Sequence, residues 1–126
     1  MKKTKAKKKF LCLVYFKAKD LMAEISNDDS ATLDRDSLAY NAVLEKAGHY
    51  ITAQALQSPD TARTVSVRKG KISVTDGPFA ETKEQLGGFI LINARNMAQA
   101  VKLAAGIPIA RFGRIEVRPI YHIPVR

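Results

Sequence analysis

The chain is poor in the residues that build metal centres and cross-links: one cysteine, Cys12, and two histidines, His49 and His122, among 126 residues. A single cysteine excludes an internal disulfide and suits a reducing compartment, so the cytoplasm is the expected location. Two histidines far apart and one cysteine inside an apolar run leave no zinc-type ligand spacing. Asp28 and Asp29 are neighbours, but nothing follows them at calcium-loop spacing. No apolar run approaches the roughly 20 residues a membrane span needs. The run after the basic N-terminus is short and interrupted by Lys17 and Lys19, which excludes a secretory signal. A Gly-rich phosphate loop before a helix and a nucleophile elbow are also missing. The expectation is one domain with no metal and no cofactor.

Charge is present, but unevenly spread. The net charge is +9. Lys2, Lys3, Lys5, Lys7, Lys8 and Lys9 precede the first apolar run, and without them 15 basic residues face 12 acidic ones. This describes a near-neutral body, residues 10–126, behind a basic flexible tail, residues 1–9. Such a tail can hold phosphates in a salt-dependent way. The body has no basic stripe interleaved with aromatics, so nucleic acid is not the expected partner.

Phe10 to Phe16 is apolar on both alternating faces, the pattern of a central strand covered on both sides. Tyr15 in this run is either a satisfied core residue or a donor into a cleft. Lys17 to Thr32 reads as a polar connection with a turn of helix near Leu21 to Ile25. Leu33 to Ala47 reads as a helix with Tyr40, Val43, Leu44 and Ala47 as its apolar stripe and Gly48 as its left-handed terminus. His49 to Leu56 predicts a strand, and Ala62 to Val74 a hairpin turning at Lys69-Gly70, placed at an edge or over a cleft because its outward side is polar. Phe89 to Ala94 predicts a buried strand. Asn96 caps a second helix with Met97, Ala100, Val101, Ala104 and Ala105 as its stripe, and Arg114 to Ile120 closes the chain as a strand. Strand, helix, strand, hairpin, strand, helix, strand matches an α+β, ferredoxin-like βαββαβ order with an inserted hairpin. A small open sheet with two helices leaves one apolar face uncovered, and a homodimer is the expected remedy.

The densest word in the chain is Val74-Thr75-Asp76-Gly77-Pro78-Phe79-Ala80-Glu81-Thr82-Lys83-Glu84-Gln85-Leu86-Gly87-Gly88. Glycine permits positive φ and proline fixes φ and lacks an N–H, so Asp-Gly-Pro cannot continue a strand. Phe79 then reads as an anchor inserted into the core. This word, with Thr64-Val65-Ser66-Val67-Arg68, Ile107-Pro108-Ile109-Ala110-Arg111 and Ile115-Glu116-Val117-Arg118-Pro119 in that spacing, resembles the DGPF motif of the YCII-related family. The resemblance implies a dimeric ferredoxin-like fold in an α/β-barrel-like assembly. It also implies association with an alternative sigma factor as one possible role. Related proteins are thought to use a histidine on the first helix and an acid elsewhere. The matching positions here are Ser37 and Ala105-Gly106-Ile107, so neither half of that pair is carried over.

Acid–base work needs a titratable group held in a cleft. Asp76 and Glu81 are the catalytic candidates, although Asp76 can equally cap its own turn. Glu81, Lys83 and Glu84 can equally form a short solvated helix start with local ion pairs. Tyr15, Lys83 and Arg118 are the ligand-binding candidates, with a small anion as the ligand and Glu81 as the preferred protein partner of Arg118. The function reads as small-molecule binding or enzymatic, in a polar cleft near the motif loop, with a non-catalytic regulatory module as the alternative.

Overall fold

Alternation of buried and half-buried positions sets the central strands. In the computed structural model, which describes residues 7–17, 27–80 and 82–124, β1 runs Lys8–Phe16 with Phe10, Cys12 and Val14 buried. The strand begins inside the lysine-rich stretch, and Lys7 Nζ donates to the Gly48 carbonyl at 3.2 Å. Helix α1 spans Asn27–Lys46. It therefore starts earlier than its apolar periodicity suggests, and the expected polar connection is helical from Asn27. The turn expected at Leu21 to Ile25 lies outside the described residues. Strand β2 (Tyr50–Ala55) follows a left-handed Gly48 with φ 83°.

Strands β3 (Arg63–Arg68) and β4 (Lys71–Asp76) form the hairpin, turning at Lys69 and Gly70 with φ 51° and 77°. Strand β5 (Gln85–Ala94) precedes α2 (Met97–Ala104), and β6 (Arg114–Pro119) ends the core. Asn96 caps α2 as expected: its side chain accepts from Gln99 N at 2.9 Å, and Gln99 Oε1 accepts from Arg95 N at 2.8 Å.

The four long-range strands make an antiparallel sheet in the order β2-β5-β1-β6, and β3-β4 stand as a separate two-stranded sheet. Each of β1-α1-β2 and β5-α2-β6 spans one intervening strand, the split βαβ arrangement. The protein is thus α+β with a mostly antiparallel sheet and two helices, in agreement with the ferredoxin-like expectation. Among the described residues, no helix is long and apolar enough to cross a membrane.

The core lies on one side of the sheet. Phe10, Cys12, Ile90, Ile92 and Ala94 meet Leu44, Ala100, Ala104 and Ile107 there. The helix stripes are narrower than periodicity implies: Val43 is exposed, as are Met97 and Val101, while Leu33 and Leu44 are buried. On the opposite side, away from the helix-packed core, Leu11, Leu13 and Tyr15 of β1 and Phe89, Leu91 and Asn93 of β5 are half-buried. Glu116 and Arg118 of β6 border that strip, because Leu13 pairs with Glu116 and Leu11 with Arg118.

Two expectations for the motif region fail. Phe79 is 90% exposed rather than inserted in the core. The hairpin also turns the other way: Val65, Val67, Ile72 and Val74 are all exposed, whereas Thr64 and Ser66 are half-buried. Val65 pairs with Val74 and Val67 with Ile72, so the four make one continuous exposed apolar ladder. The cause is the hydrogen bonding at the hairpin base. Gly77 N donates to the Ala62 carbonyl and Thr64 Oγ1 to the Gly77 carbonyl, each at 2.8 Å, which pins the polar face inward.

Candidate functional site

A cleft of about 640 Å³ opens between α1, the helix-side face of the sheet and the segment Ile107–Ile109. Its size lies within the range of small-molecule pockets, as does its mostly apolar lining with a few polar groups. Helical spacing places Asp34, Ser37, Leu38 and Asn41 on one wall. Val14, Phe16 and Ile90 form the floor, with Leu33, Ile107, Pro108 and Ile109 around it.

The cleft exists because β5 carries Gly87-Gly88. A Cβ at Gly87 would collide with the Phe16 ring, and one at Gly88 would lie 2.7 Å from the Gln54 carbonyl oxygen. The motif's terminal glycines thus let the Phe16 ring sit close against β5 and let β2 approach β5. Tyr40 forms the inner end. Its hydroxyl donates to the Leu103 carbonyl at 2.6 Å, and burial, followed by the nearby Cys12 thiolate, holds the phenol above its ordinary pKa. It is a tethered wall rather than a proton donor on call.

The residues singled out by the sequence lie elsewhere. Asp76 pairs with Arg63, Oδ1 to Nε at 3.2 Å, across the exposed base of the hairpin. Arg118 pairs with Glu116 on its own strand at 3.9 Å; Glu81, its expected partner, lies outside the described residues. Tyr15 and Arg118 share the uncovered sheet face but not a neighbouring pair, since Tyr15 aligns with Arg114 and Arg118 with Leu11. Lys83 is exposed. Glu84 reaches Arg114 at 3.9 Å instead of a local partner, and no helix starts at residues 82–84. Gln85 organises the loop: its Nε2 donates to the Thr82 carbonyl at 3.0 Å and to the Ala80 carbonyl at 3.3 Å. None of Tyr15, Asp76, Lys83 and Arg118 lines the cleft.

Sequence reasoning did touch the cleft, through the family's helix position. Ser37 and Ile107, the positions matched to the related histidine and to the region of the acid, both line it. Asp34 and Asn41 fall off the helix's apolar stripe, where side chains ordinarily face solvent. Their signal was the i, i+3, i+7 spacing around Ser37.

No group of three or more His, Cys, Asp or Glu side chains is placed to hold a metal among the described residues. Cys12 is fully buried, and desolvation pushes its thiol up to about 11. Thiol labelling at pH 8 is therefore expected to proceed only after unfolding, and native-state labelling at the rate of a free thiol would contradict this packing. The linkage has a sign as well. Between the ordinary thiol value of 9.0 and about 11, the unfolded chain has released a proton that the folded chain keeps, so this group makes stability fall as pH rises through that window.

The YCII-related domain model matches residues 8–124. An uncharacterized protein of Rhizobium meliloti (strain 1021) is 35% identical over 97 residues, covering 75% of this chain and 78% of the relative.

Proposed function

Because the chain belongs to the YCII-related family and its own fold offers a cleft beside its first helix, we propose that the protein is a small-molecule-binding member with its ligand between α1 and the sheet. The observation that carries this is the cleft of about 640 Å³, lined in part by the Gly87-Gly88 pair of the motif. A pocket so placed gives the motif a use: its rigid turn and its Gln85-held loop fix the glycines that shape the floor. Acid–base chemistry on the bound molecule would have to draw on groups other than a histidine at position 37. Asp76 and Lys83 of the motif region and Arg118 of β6 have their own protein partners or open exposure, and support the cleft reading less directly.

The test uses a neutral probe, 2-(1-naphthyl)ethanol, followed by amide NMR on the full chain. Wild-type protein is expected to show saturable shifts around the cleft. Ser37→Phe, which fills the space from the helix wall, is expected to lose them while keeping the dispersed spectrum of the folded protein. Equal binding by the variant would contradict the assignment.

A second reading concerns assembly. We infer a homodimer over the uncovered sheet face, where a central strip of Leu11, Leu13, Phe89 and Leu91 is bordered by Glu116 and Arg118, an apolar centre with a polar rim. The ladder Val65, Val67, Ile72, Val74 adds apolar surface suited to the same association. Pairing through that face would give the α/β-barrel-like assembly. A different polypeptide, such as an alternative sigma factor, is the competing occupant of these surfaces.

A further inference from the structure

We propose that the cleft selects a ligand with a flat apolar body and a hydrogen-bond-donating head, cationic amines first, and discriminates against anions. This rests on the cleft being the binding site and goes further by naming the chemical class. The polar groups of the cleft's helix wall come from one stripe of α1: Asp34, Ser37 and Asn41. Among the described lining residues, Asp34 is the single charged one and none carries a positive charge. A carboxylate at the rim accepts hydrogen bonds and offers none, whereas Ser37 and Asn41 can both accept and donate. Tyr40 does not supply a donor to an anion, because its hydroxyl proton is committed to the Leu103 carbonyl at 2.6 Å. Opposite this stripe the surface is mostly aliphatic and aromatic, from Phe16 and Ile90 to Ile109, with Gln54 its one polar residue among those described. An anion entering here would lose water, meet a like charge at the rim and find no cation among the described lining residues, each of which is unfavourable.

The protein's overall charge sharpens the prediction. At a net charge of +9 the whole molecule attracts anions. A preference for cations at the cleft therefore has to come from local chemistry and runs against the long-range field.

The experiment compares three probes on one bicyclic body: 2-(1-naphthyl)ethylamine, 2-(1-naphthyl)ethanol and 1-naphthylacetate. Each is titrated into the full chain at moderate salt, with affinities read from amide shifts at Ser37, Asn41 and Gly88. The expected order at those residues is amine, then alcohol, then acetate. In Asp34→Asn the amine is expected to weaken about three- to fivefold, the scale of one exposed charge pair, while the alcohol stays within about twofold. Acetate binding at the cleft as tightly as the amine would overturn the class assignment and leave the cleft as a binding site. An unchanged amine affinity in Asp34→Asn would also overturn it. If no probe shifts the cleft residues, the binding-site reading itself fails, and the class assignment fails with it.

Discussion

Ile92→Ala is expected to destabilise the fold by about 2–5 kcal/mol, with a fall in Tm of roughly 10 °C or more, whereas Phe79→Ala in the same protein should change stability by less than about 0.5 kcal/mol. Ile92 is 1% exposed and lies on β5 among Phe10, Cys12 and Leu44 in the cluster that joins both helices to the sheet. Removing its branched side chain forfeits transfer energy and leaves a cavity that two packed layers cannot easily close. Phe79 has the larger side chain and sits in the most distinctive word of the sequence, yet its ring is in solvent. Chemical denaturation monitored by circular dichroism checks both variants. A cost at Phe79 comparable to that at Ile92, dependent on protein concentration, would mean that Phe79 is covered in the assembled molecule.

The second large effect concerns assembly. Leu91→Lys is expected to convert a dimer into a folded monomer, read by light scattering on a size-exclusion column. Leu91 aligns with Leu11 on one side and with Thr52 on the other, which puts it in the middle of the uncovered strip. In a single chain its side chain is half-buried, so a lysine can carry its charge to water and the fold should survive. In a dimer the same ammonium would be enclosed against an apolar counterpart, a cost of several kcal/mol per site. Both sites of a two-fold interface carry the substitution, so the penalty enters twice. A wild-type protein that runs as a monomer at high concentration would contradict the assembly, and so would a variant that stays dimeric.

The architecture was largely legible in the sequence because it rests on local signals. Alternation in Phe10 to Phe16 and in Phe89 to Ala94, Gly48 after the first helix, Lys69-Gly70 at the hairpin turn and Asn96 at the second helix each fix an element with little help from distant residues. The motif was harder to read. Asp-Gly-Pro did encode a rigid turn, with Gly77 at φ 89°, but the direction of the hairpin and of Phe79 depends on how Ala62 and Thr64 bind Gly77. Those are tertiary facts that periodicity does not carry. The same limit applied to the site. Charge density drew attention to Asp76, Lys83 and Arg118, which the fold gives to ion pairs or solvent. The cleft depends instead on what is small or unremarkable: two glycines, a serine, and an aspartate on a helix flank. Position 37 could be found only through the family pattern, since a serine in mid-helix sends no signal of its own.

The most direct test of the account is an amide shift map of the full-length protein titrated with 2-(1-naphthyl)ethylamine. Binding in the cleft should place the largest saturable changes on Ser37, Asn41, Gly87, Gly88 and Ile107, with Asp76, Lys83 and Arg118 nearly still. Shifts centred on Asp76, Lys83 or Arg118, with the α1 wall unmoved, would contradict it and return the site to the charged loop.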